Sequence, residues 1–152
     1  KQSTIEQLNQ IDLNNLPLGR ERESVVKVRV NQTLFRRMVL SNYNNRCCIT
    51  GINMPELLVA SHILPWSLDQ HNRLNPRNGL ALNALHDKAF DCGLLTITPD
   101  FRIKISDRFY KAKDEASVRD NFIAYDGKTL LESQKFSPDV DFLKVRCEGF
   151  RG

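Results

Sequence analysis

The sequence predicts an α+β fold built around a two-stranded hairpin and a helix. Three observations predict it. Residues 57–63 alternate between two faces, as a half-buried strand does. A second apolar run, residues 79–82, follows a polar loop and is expected to return beside the first strand. Asn83 is a good helix cap, and it precedes a helical stretch over residues 84–92 that Gly93 is expected to end.

Before this unit, an apolar stripe at helical spacing predicts a helix over residues 31–43. Asn31 or Thr33 is expected to cap its start, and Asn44–Asn45 to break it. Residues 47–50 form an apolar run that predicts a short strand, followed by a turn. Pro65 is expected to stop the strand over residues 57–63, because proline cannot donate to a ladder.

After the central helix the pattern predicts further elements on both sides of turn signals. They are a hairpin of residues 94–98 and 101–105, a helix over 108–123, a strand over 125–131 that contains Asp126–Gly127, and a terminal helix over 138–148 with Val140, Leu143 and Cys147 inward.

Length and composition predict one main domain. With 152 residues and 41% hydrophobic content, the chain can bury an ordinary core, and no apolar run reaches the roughly 20 residues that span a bilayer. We therefore expect no membrane partner. Residues 1–20 are polar and are expected to be a linker or arm, with the domain over residues 21–152 and its core over 46–98. The chain starts at Lys1, so we expect a piece of a longer protein.

The four cysteines point to a reducing compartment. They are Cys47, Cys48, Cys92 and Cys147, and no two of them form a CxxC pair. A zinc knuckle is therefore not supported, and reduced, partly buried thiols in a cytoplasmic protein are the expected reading.

Basic segments flank an acidic centre. Residues 21–46 carry six Lys or Arg against two Glu, and residues 101–113 carry five against one Asp. Residues 47–100 are net acidic. This distribution suits a polyanion held at the sides and a cation held in the middle, although two solvated faces would have the same charges.

Four side chains in the central unit are candidates for phosphodiester hydrolysis. Phosphodiester cleavage is helped by an imidazole that deprotonates water and by a divalent ion that stabilises the leaving oxygen. His62, at the end of a predicted strand, is a plausible base, whereas a lone histidine is more often a hydrogen-bonded turn residue. Asp87 and Asp91 are four apart on a helix, so they share a face and repel each other unless a cation joins them. His86 points about 100 degrees away and is either a further ligand or a supporting group.

Two loop residues complete the set of candidates. Asn78 can tie the loop by hydrogen bonds from its side chain to the backbone, and so orient His62. Arg73 suits a phosphate contact, and a salt bridge within the loop is an equally good reading.

The order of these residues resembles the HNH endonucleases. The chain reads SHILPW at 61–66, RLNPRNGLAL at 73–82 and HDKAFDCG at 86–93, which matches the branch with the pattern SHI.PW, R.NP.NGL.L, HD.AFD.G. The flanking stretches at 31–51 and 136–150 are also similar to the family. The resemblance covers roughly residues 30–150, and it implies a ββα-metal core with an N-terminal helix, a following hairpin and a C-terminal helical decoration.

The resemblance also implies roles for single residues. His62 matches the general base, Asn78 the central asparagine that orders the loop, and Asp87 the helical metal ligand. Asp91 stands where some relatives have a second helical ligand. Ser61 stands where many relatives have an Asp or His ligand, so either water fills that position or His86 takes part.

The predicted function is a metal-dependent DNA endonuclease of a bacterial restriction or defence protein. The expected cofactor is one Mg²⁺ or Mn²⁺, with other divalent ions as alternatives, and the expected partner is double-stranded DNA. One site per chain favours a homodimer for cutting both strands, and a fused recognition domain is expected outside this chain. Residues expected to contact nucleic acid are Arg36, Arg37, Arg73, Arg77 and Lys88. The alternatives are a non-catalytic nucleic-acid-binding module, an RNase on the same scaffold, and a degenerate site.

Overall fold

The computed structural model describes residues 25–65 and 71–152, with side chains described from residue 31 onward. The predicted arm over residues 1–20 lies outside the described residues, as does part of the polar loop. In the described ranges no helix is both long enough and apolar enough to cross a bilayer.

The first described element is a long helix, α1 (Val25–Asn42). It begins earlier than predicted, so Asn31 and Thr33 lie inside the helix and the prediction that either residue caps it is wrong. Its end is confirmed, because Asn44 and Asn45 have φ angles of 55° and 54°, in the left-handed region that stops an α-helix.

The central unit is a hairpin followed at once by a helix. Strand β1 (Leu58–His62) pairs antiparallel with β2 (Gly79–Asn83), with Leu58 opposite Asn83 and His62 opposite Gly79. Helix α2 (Ala84–Asp91) follows without a loop, and the Asn83 side chain accepts a hydrogen bond from the His86 backbone N–H at 3.0 Å. The predicted strands, cap and helix are therefore confirmed to within a residue or two.

The elements after α2 pack against this unit. They are strands β3 (Leu95–Ile97) and β4 (Ile103–Ile105), helices α3 (Asp107–Lys111), α4 (Ala116–Asn121) and α5 (Val140–Cys147), and a 3₁₀ turn at Ile123–Tyr125. Two further 3₁₀ turns, Pro55–Leu57 and Pro76–Asn78, come directly before β1 and β2. The β3–β4 hairpin is confirmed, with shorter strands than predicted. The mixture of helices and two small antiparallel sheets confirms the α+β class.

Three predictions about the flanking elements are wrong. Residues 47–50 form turns and no strand, because Cys47, Cys48 and Ile49 are all buried in succession with no strand ladder beside them. Residues 125–131 are not a strand either, and only an isolated bridge joins Arg102 to Thr129. The single helix over 108–123 is instead α3 and α4, separated by turns.

The core lies between α1, the central unit and the β3–β4 hairpin. Its fully buried side chains include Val39, Leu80, Leu82, Phe90, Ile97 and Leu143. Leu143 points inward as predicted, whereas Val140 is exposed and Cys147 only half-buried. The two faces of the β1–β2 hairpin contact α1 and α2, so successive residues of β1 meet different helices.

Candidate active site

A cavity of about 290 Å³ lies where the end of β1 meets α2. Four of the predicted site residues line it: Ser61, His62, Asp87 and Asp91. The remaining lining residues are Val59, Ala60, Pro65 and Arg146. Strand β2 pairs with β1 and continues directly into α2. This connection places one face of α2 beside the last residues of β1, and the cavity lies between them.

His62 is held on two sides. Its ring stacks on Phe35 of α1, with centroids 3.8 Å apart and planes 9° from parallel. Its Nε2 lies 2.9 Å from the Arg73 carbonyl oxygen. Because a carbonyl oxygen can only accept, Nε2 carries the proton and Nδ1 carries the lone pair of the neutral ring. Burial lowers the pKa of His62, although the Arg73 carbonyl and Asp91 oppose the shift. The ring is therefore neutral near pH 7, as a general base requires.

Asp87 is half-buried in the first turn of α2, and Ser61 holds it from β1. The Ser61 hydroxyl donates a hydrogen bond to Asp87 Oδ1. Burial raises the pKa of Asp87; the Ser61 hydrogen bond lowers it, and the nearby Asp91 raises it again. The carboxylate is thus desolvated and lies beside a second negative charge, which favours a cation at this position.

Asp91 has a cationic partner within the protein. Arg146 Nη2 of α5 lies 3.6 Å from Asp91 Oδ1, and the Asp91 side chain is 61% exposed whereas that of Arg146 is 15% exposed. The guanidinium also donates to the Phe90 carbonyl at 2.8 Å and lies over the Phe90 ring, 4.2 Å from its centroid. Burial lowers the pKa of Arg146, and both carboxylates oppose that shift.

Asn78 joins the two ends of the loop that follows β1. Its Oδ1 accepts from the Leu64 backbone N–H at 2.8 Å. Its Nδ2 donates to the carbonyl oxygens of Leu64 and Asn72, each at 3.2 Å. The side chain is buried, with 1% of its surface exposed. This is the geometry of a loop brace, and it holds the segment whose Arg73 carbonyl contacts His62.

His86 lies apart from this cavity. It is 1% exposed, its Nδ1 accepts from Asn83 Nδ2 at 2.8 Å, and its Nε2 donates to the Asn121 carbonyl. The rings of Phe122 and Tyr125 meet it edge to face. Both nitrogens therefore serve the interior packing, and the structure does not bring His86 to the place where a further ligand was predicted.

The five predicted nucleic-acid contacts fall into different environments. Arg36 is half-buried and donates to the carbonyl oxygens of Leu58 and Pro55, so it braces the start of β1. Arg37, Arg77 and Lys88 are exposed, and Arg73 is half-buried. Because phosphate contacts need an accessible cation, the exposed three suit that task better than Arg36 does.

The oxygen donors of the cavity fit a hard divalent cation. In the described ranges no three His, Cys, Asp or Glu side chains are grouped as a metal cluster. The side-chain carboxylate and hydroxyl oxygens of the residues that line the cavity belong to Asp87, Asp91 and Ser61. Oxygen donors suit Mg²⁺ and Mn²⁺, and Mg²⁺ in particular is commonly bound through one or two carboxylates with water in its other positions.

Three contributors to the site are not marked by any sequence motif. Arg146 comes from α5, far along the chain, although a pair of like charges at Asp87 and Asp91 did signal the need for a cation. Phe35 is one of the apolar residues whose spacing predicts α1, and that spacing does not indicate a contact with His62. The Arg73 backbone carbonyl, and not only its side chain, orients the imidazole; no sequence pattern marks such a contact.

A β-hairpin followed by a helix, with an imidazole ending the first strand and a carboxylate on the helix, defines the class of ββα nucleases that the motifs resemble. Residues 47–98 match the model of the HNH endonuclease family. The match confirms the predicted resemblance over these residues to a family of nucleases that hydrolyse phosphodiester bonds. HNH endonucleases generally use a divalent metal ion.

A solved structure is similar in fold. It is described as "Modification dependent TagI restriction endonuclease" and aligns with a TM-score of 0.50 and 18% sequence identity. The alignment covers 75% of this chain and 36% of that chain. This chain therefore spans about a third of the length of that protein. No curated protein matches the sequence.

Proposed function

We propose that this chain is a metal-dependent DNA endonuclease domain with one divalent ion and a histidine general base. The observation that carries the proposal is that His62 and Asp87 line one cavity, although they come from different elements. One supplies a neutral imidazole and the other a partly desolvated carboxylate. The two groups have complementary tasks, removal of a proton and binding of a cation.

His62 accepts the proton of the attacking water. Its Nε2–H stays on the Arg73 carbonyl, and the Phe35 ring fixes the plane of the imidazole. Asn78 braces the loop and so keeps that carbonyl in place. Positioning of this kind lowers the entropic cost of reaching the reactive geometry.

Asp87 would hold the metal ion, and Ser61 orients the Asp87 carboxylate through its hydroxyl. Asp91 would contribute less, because Arg146 already neutralises part of its charge. When bound, a divalent ion stabilises the charge on the leaving oxygen. Either Mg²⁺ or Mn²⁺ suits these oxygen donors. His86 has no part in this ligand set.

We further propose a restriction or defence setting in bacteria. The fold similarity to a restriction endonuclease supports it, and this chain spans only about a third of that protein's length. A fused recognition domain outside this chain would then choose the target on double-stranded DNA. Two copies would cut the two strands with one site each. The four cysteines are all unpaired, which is consistent with a cytoplasmic protein.

Plasmid cleavage tests the proposal. In Mg²⁺ or Mn²⁺ the wild-type protein is expected to cut, and His62→Ala to cut about 10²- to 10⁴-fold more slowly, which is the usual contribution of a general base. His71→Ala is the matched control, because His71 is exposed and does not line the cavity. Equal rates for wild type and His62→Ala would exclude His62 as the base.

The same assay separates the alternative functions. A non-catalytic binding module would retain DNA in EDTA and give no products in any metal. An RNase would degrade RNA in a parallel reaction and leave the plasmid intact.

A further inference from the structure

A second groove, of about 400 Å³, lies between the C-terminal part of α1 and the segment before α5. Its walls include Arg37, Met38 and Asn42 of α1, Pro76 of the turn before β2, and Lys135 with Phe136. Neither His62 nor Asp87 lines this groove. The groove is therefore a feature separate from the cavity at His62.

Asn42 builds one wall of this groove. Its side chain is buried, and its Oδ1 accepts from the backbone N–H groups of Lys135 and Phe136 at 3.2 and 2.9 Å. Its Nδ2 donates to the Phe136 carbonyl at 2.8 Å. On the other side Arg77 donates to the Ser137 carbonyl at 3.2 Å. The segment is thus fixed at both sides, and the groove is a built feature of the fold.

Phe136 is an aromatic ring placed among cations. Lys135 Nζ lies 5.2 Å from the ring centroid, and the Arg77 guanidinium carbon 5.6 Å from it. The ring is half-buried, and it is not among the partly buried side chains that pack against the hydrophobic core. A half-buried aromatic without a core role suits contact with a ligand.

The charge of the groove selects the class of ligand. Arg37 and Lys135 are exposed cations on its rim, and no carboxylate among the described residues lines it. An apolar, aromatic floor with cations at the edge suits a nucleotide, which offers a stacking base and an anionic phosphate. An anionic peptide could also meet the cations, but a nucleotide in addition offers a flat base to stack on the ring.

Residues that line the groove lie close in the chain to residues that contact His62. Phe35, which stacks on His62, precedes Met38 by three residues on α1, about 4.5 Å along the helix axis. Pro76 lies in the turn that leads into β2, whose Gly79 pairs with His62. Adjacent phosphates of one strand are spaced about 3.4 Å along the duplex axis. The groove thus adjoins the elements that hold His62, which suits contact of one DNA strand with both.

We propose that this groove binds one unpaired nucleotide of the DNA substrate near the cleaved bond. Its base stacks on Phe136, and its phosphate contacts Arg37 and Lys135. The proposal rests on the DNA endonuclease function above. Base stacking on an aromatic side chain changes affinity by about 5- to 150-fold, whereas an exposed cation over a ring is worth about 2- to 5-fold. The base therefore displaces Lys135 from the Phe136 ring, and the Lys135 ammonium group then contacts the phosphate.

Binding of labelled DNA in EDTA tests the groove without cleavage. The probes are a duplex with one unpaired nucleotide and the fully paired duplex of the same sequence. The wild-type protein is expected to prefer the first, and Phe136→Leu, which keeps apolar volume without a π face, to lose about 5-fold or more of that affinity. Lys135→Ala should lower the slope of log affinity against log salt by about 0.7–0.9.

Lys128→Ala is the matched control, because Lys128 is an exposed lysine 5.6 Å from the Tyr125 ring centroid and does not line the groove. It is expected to keep the preference for the unpaired nucleotide. Equal affinity of the wild-type protein for the two probes would show that the groove does not bind an unpaired nucleotide. An unchanged affinity in Phe136→Leu would exclude Phe136 as the stacking residue and would also overturn the proposal. If the wild-type protein still cuts plasmid in that case, the endonuclease function is retained and only the nucleotide-binding role of the groove is rejected. Tighter binding of RNA than of DNA would overturn the DNA assignment.

Discussion

Asp87 and Asp91 lie one helical turn apart on α2, yet their surroundings give them different chemistry. Asp87 is half-buried and accepts the Ser61 hydroxyl, with no side-chain cation bridged to it among the described residues. Asp91 is largely exposed and pairs with Arg146. Equal spacing on a helix therefore does not mean equal roles, and Asp87 is the stronger candidate to hold a cation.

Substitution of the two aspartates is expected to separate these roles. Asp87→Asn should weaken Mn²⁺ binding by more than about 10-fold, and Asp91→Asn by less than that, because Arg146 already compensates Asp91. Titration calorimetry with Mn²⁺ measures both values. Equal losses in the two variants would show that both carboxylates bind the ion directly, and no loss in Asp87→Asn would remove Asp87 from the site.

The pH dependence of cleavage follows from the surroundings of His62. Burial lowers the pKa of His62, so the neutral ring that accepts a proton is already present below the ordinary histidine value of 6.5. We expect the cleavage rate to fall as pH drops through this lowered pKa, and to be constant around pH 7.

Metal concentration separates His62 from Asp87 in that profile. Burial raises the pKa of Asp87, so acid also weakens its hold on a cation. More metal offsets protonation of a ligand but not protonation of a base. At saturating Mn²⁺ the remaining acid limb belongs to His62, and a midpoint above 6.5 would contradict its assignment as a buried base.

At the scale of elements, Gly79 lets α1 approach the hairpin. A Cβ at this position would lie 2.3 Å from Val39 Cγ2 and 2.9 Å from Phe35 Cζ, far inside van der Waals contact. Gly79 is also the cross-strand partner of His62. The absence of a side chain on β2 thus makes room for the ring that stacks on the imidazole.

Gly79→Ala is expected to destabilise the fold by about 1–3 kcal/mol, the usual cost of overpacking a core. It should also slow cleavage, because Phe35 must move away from its position on His62. Gly149→Ala is the control, since its nearest neighbour would be the Arg146 carbonyl at an ordinary 3.6 Å. Urea denaturation measures both, and equal stability of the two variants would contradict the close approach.

The central elements were predictable because local signals mark their ends. Pro65 follows β1, the Asn83 side chain caps α2, and Gly93 adopts a φ of 75° just after it. Each of these signals acts within a few residues, so a single sequence contains it. The order hairpin, helix, hairpin could therefore be assigned without knowledge of the packing.

The two strands that were wrongly predicted lack the partner strand that a ladder needs. Cys47, Cys48 and Ile49 are apolar because they are buried, but the Cys48 backbone makes single hydrogen bonds to Ala81 and Leu131 and no ladder. An apolar run predicts burial, and strand formation also needs a partner at the right register. Only the tertiary arrangement decides whether such a partner is present.

For the whole molecule, the site depends on contacts that span most of the chain. Arg146 Nη1 reaches the Ile63 carbonyl at 3.4 Å across 83 residues of sequence, and Phe35 reaches His62 from α1. The motifs of the central unit contain His62, Asn78 and Asp87 but neither of these partners. The sequence thus predicted that His62 and Asp87 lie together, as the shared cavity shows, but it did not predict their surroundings.

Arg146 joins α5 to both sides of the cavity, so its loss should affect stability and not only activity. Its guanidinium donates to the carbonyl oxygen of Ile63, just after β1, and to that of Phe90 in α2. Both hydrogen bonds are charge-assisted. We expect Arg146→Met to lower the free energy of unfolding by about 1.5–3 kcal/mol.

Lys144→Met is the matched control on the same helix. Lys144 is 63% exposed, and its partner Asp141, 3.8 Å away, is 88% exposed. Surface pairs of this kind contribute about 0–1 kcal/mol, because solvent screens both charges and the side chains lose freedom. Urea denaturation of the two variants therefore distinguishes a structural cation from a surface one. If both variants unfold at the same urea concentration, Arg146 does not hold α5 against the site, and its role is confined to the charge that it brings to Asp91.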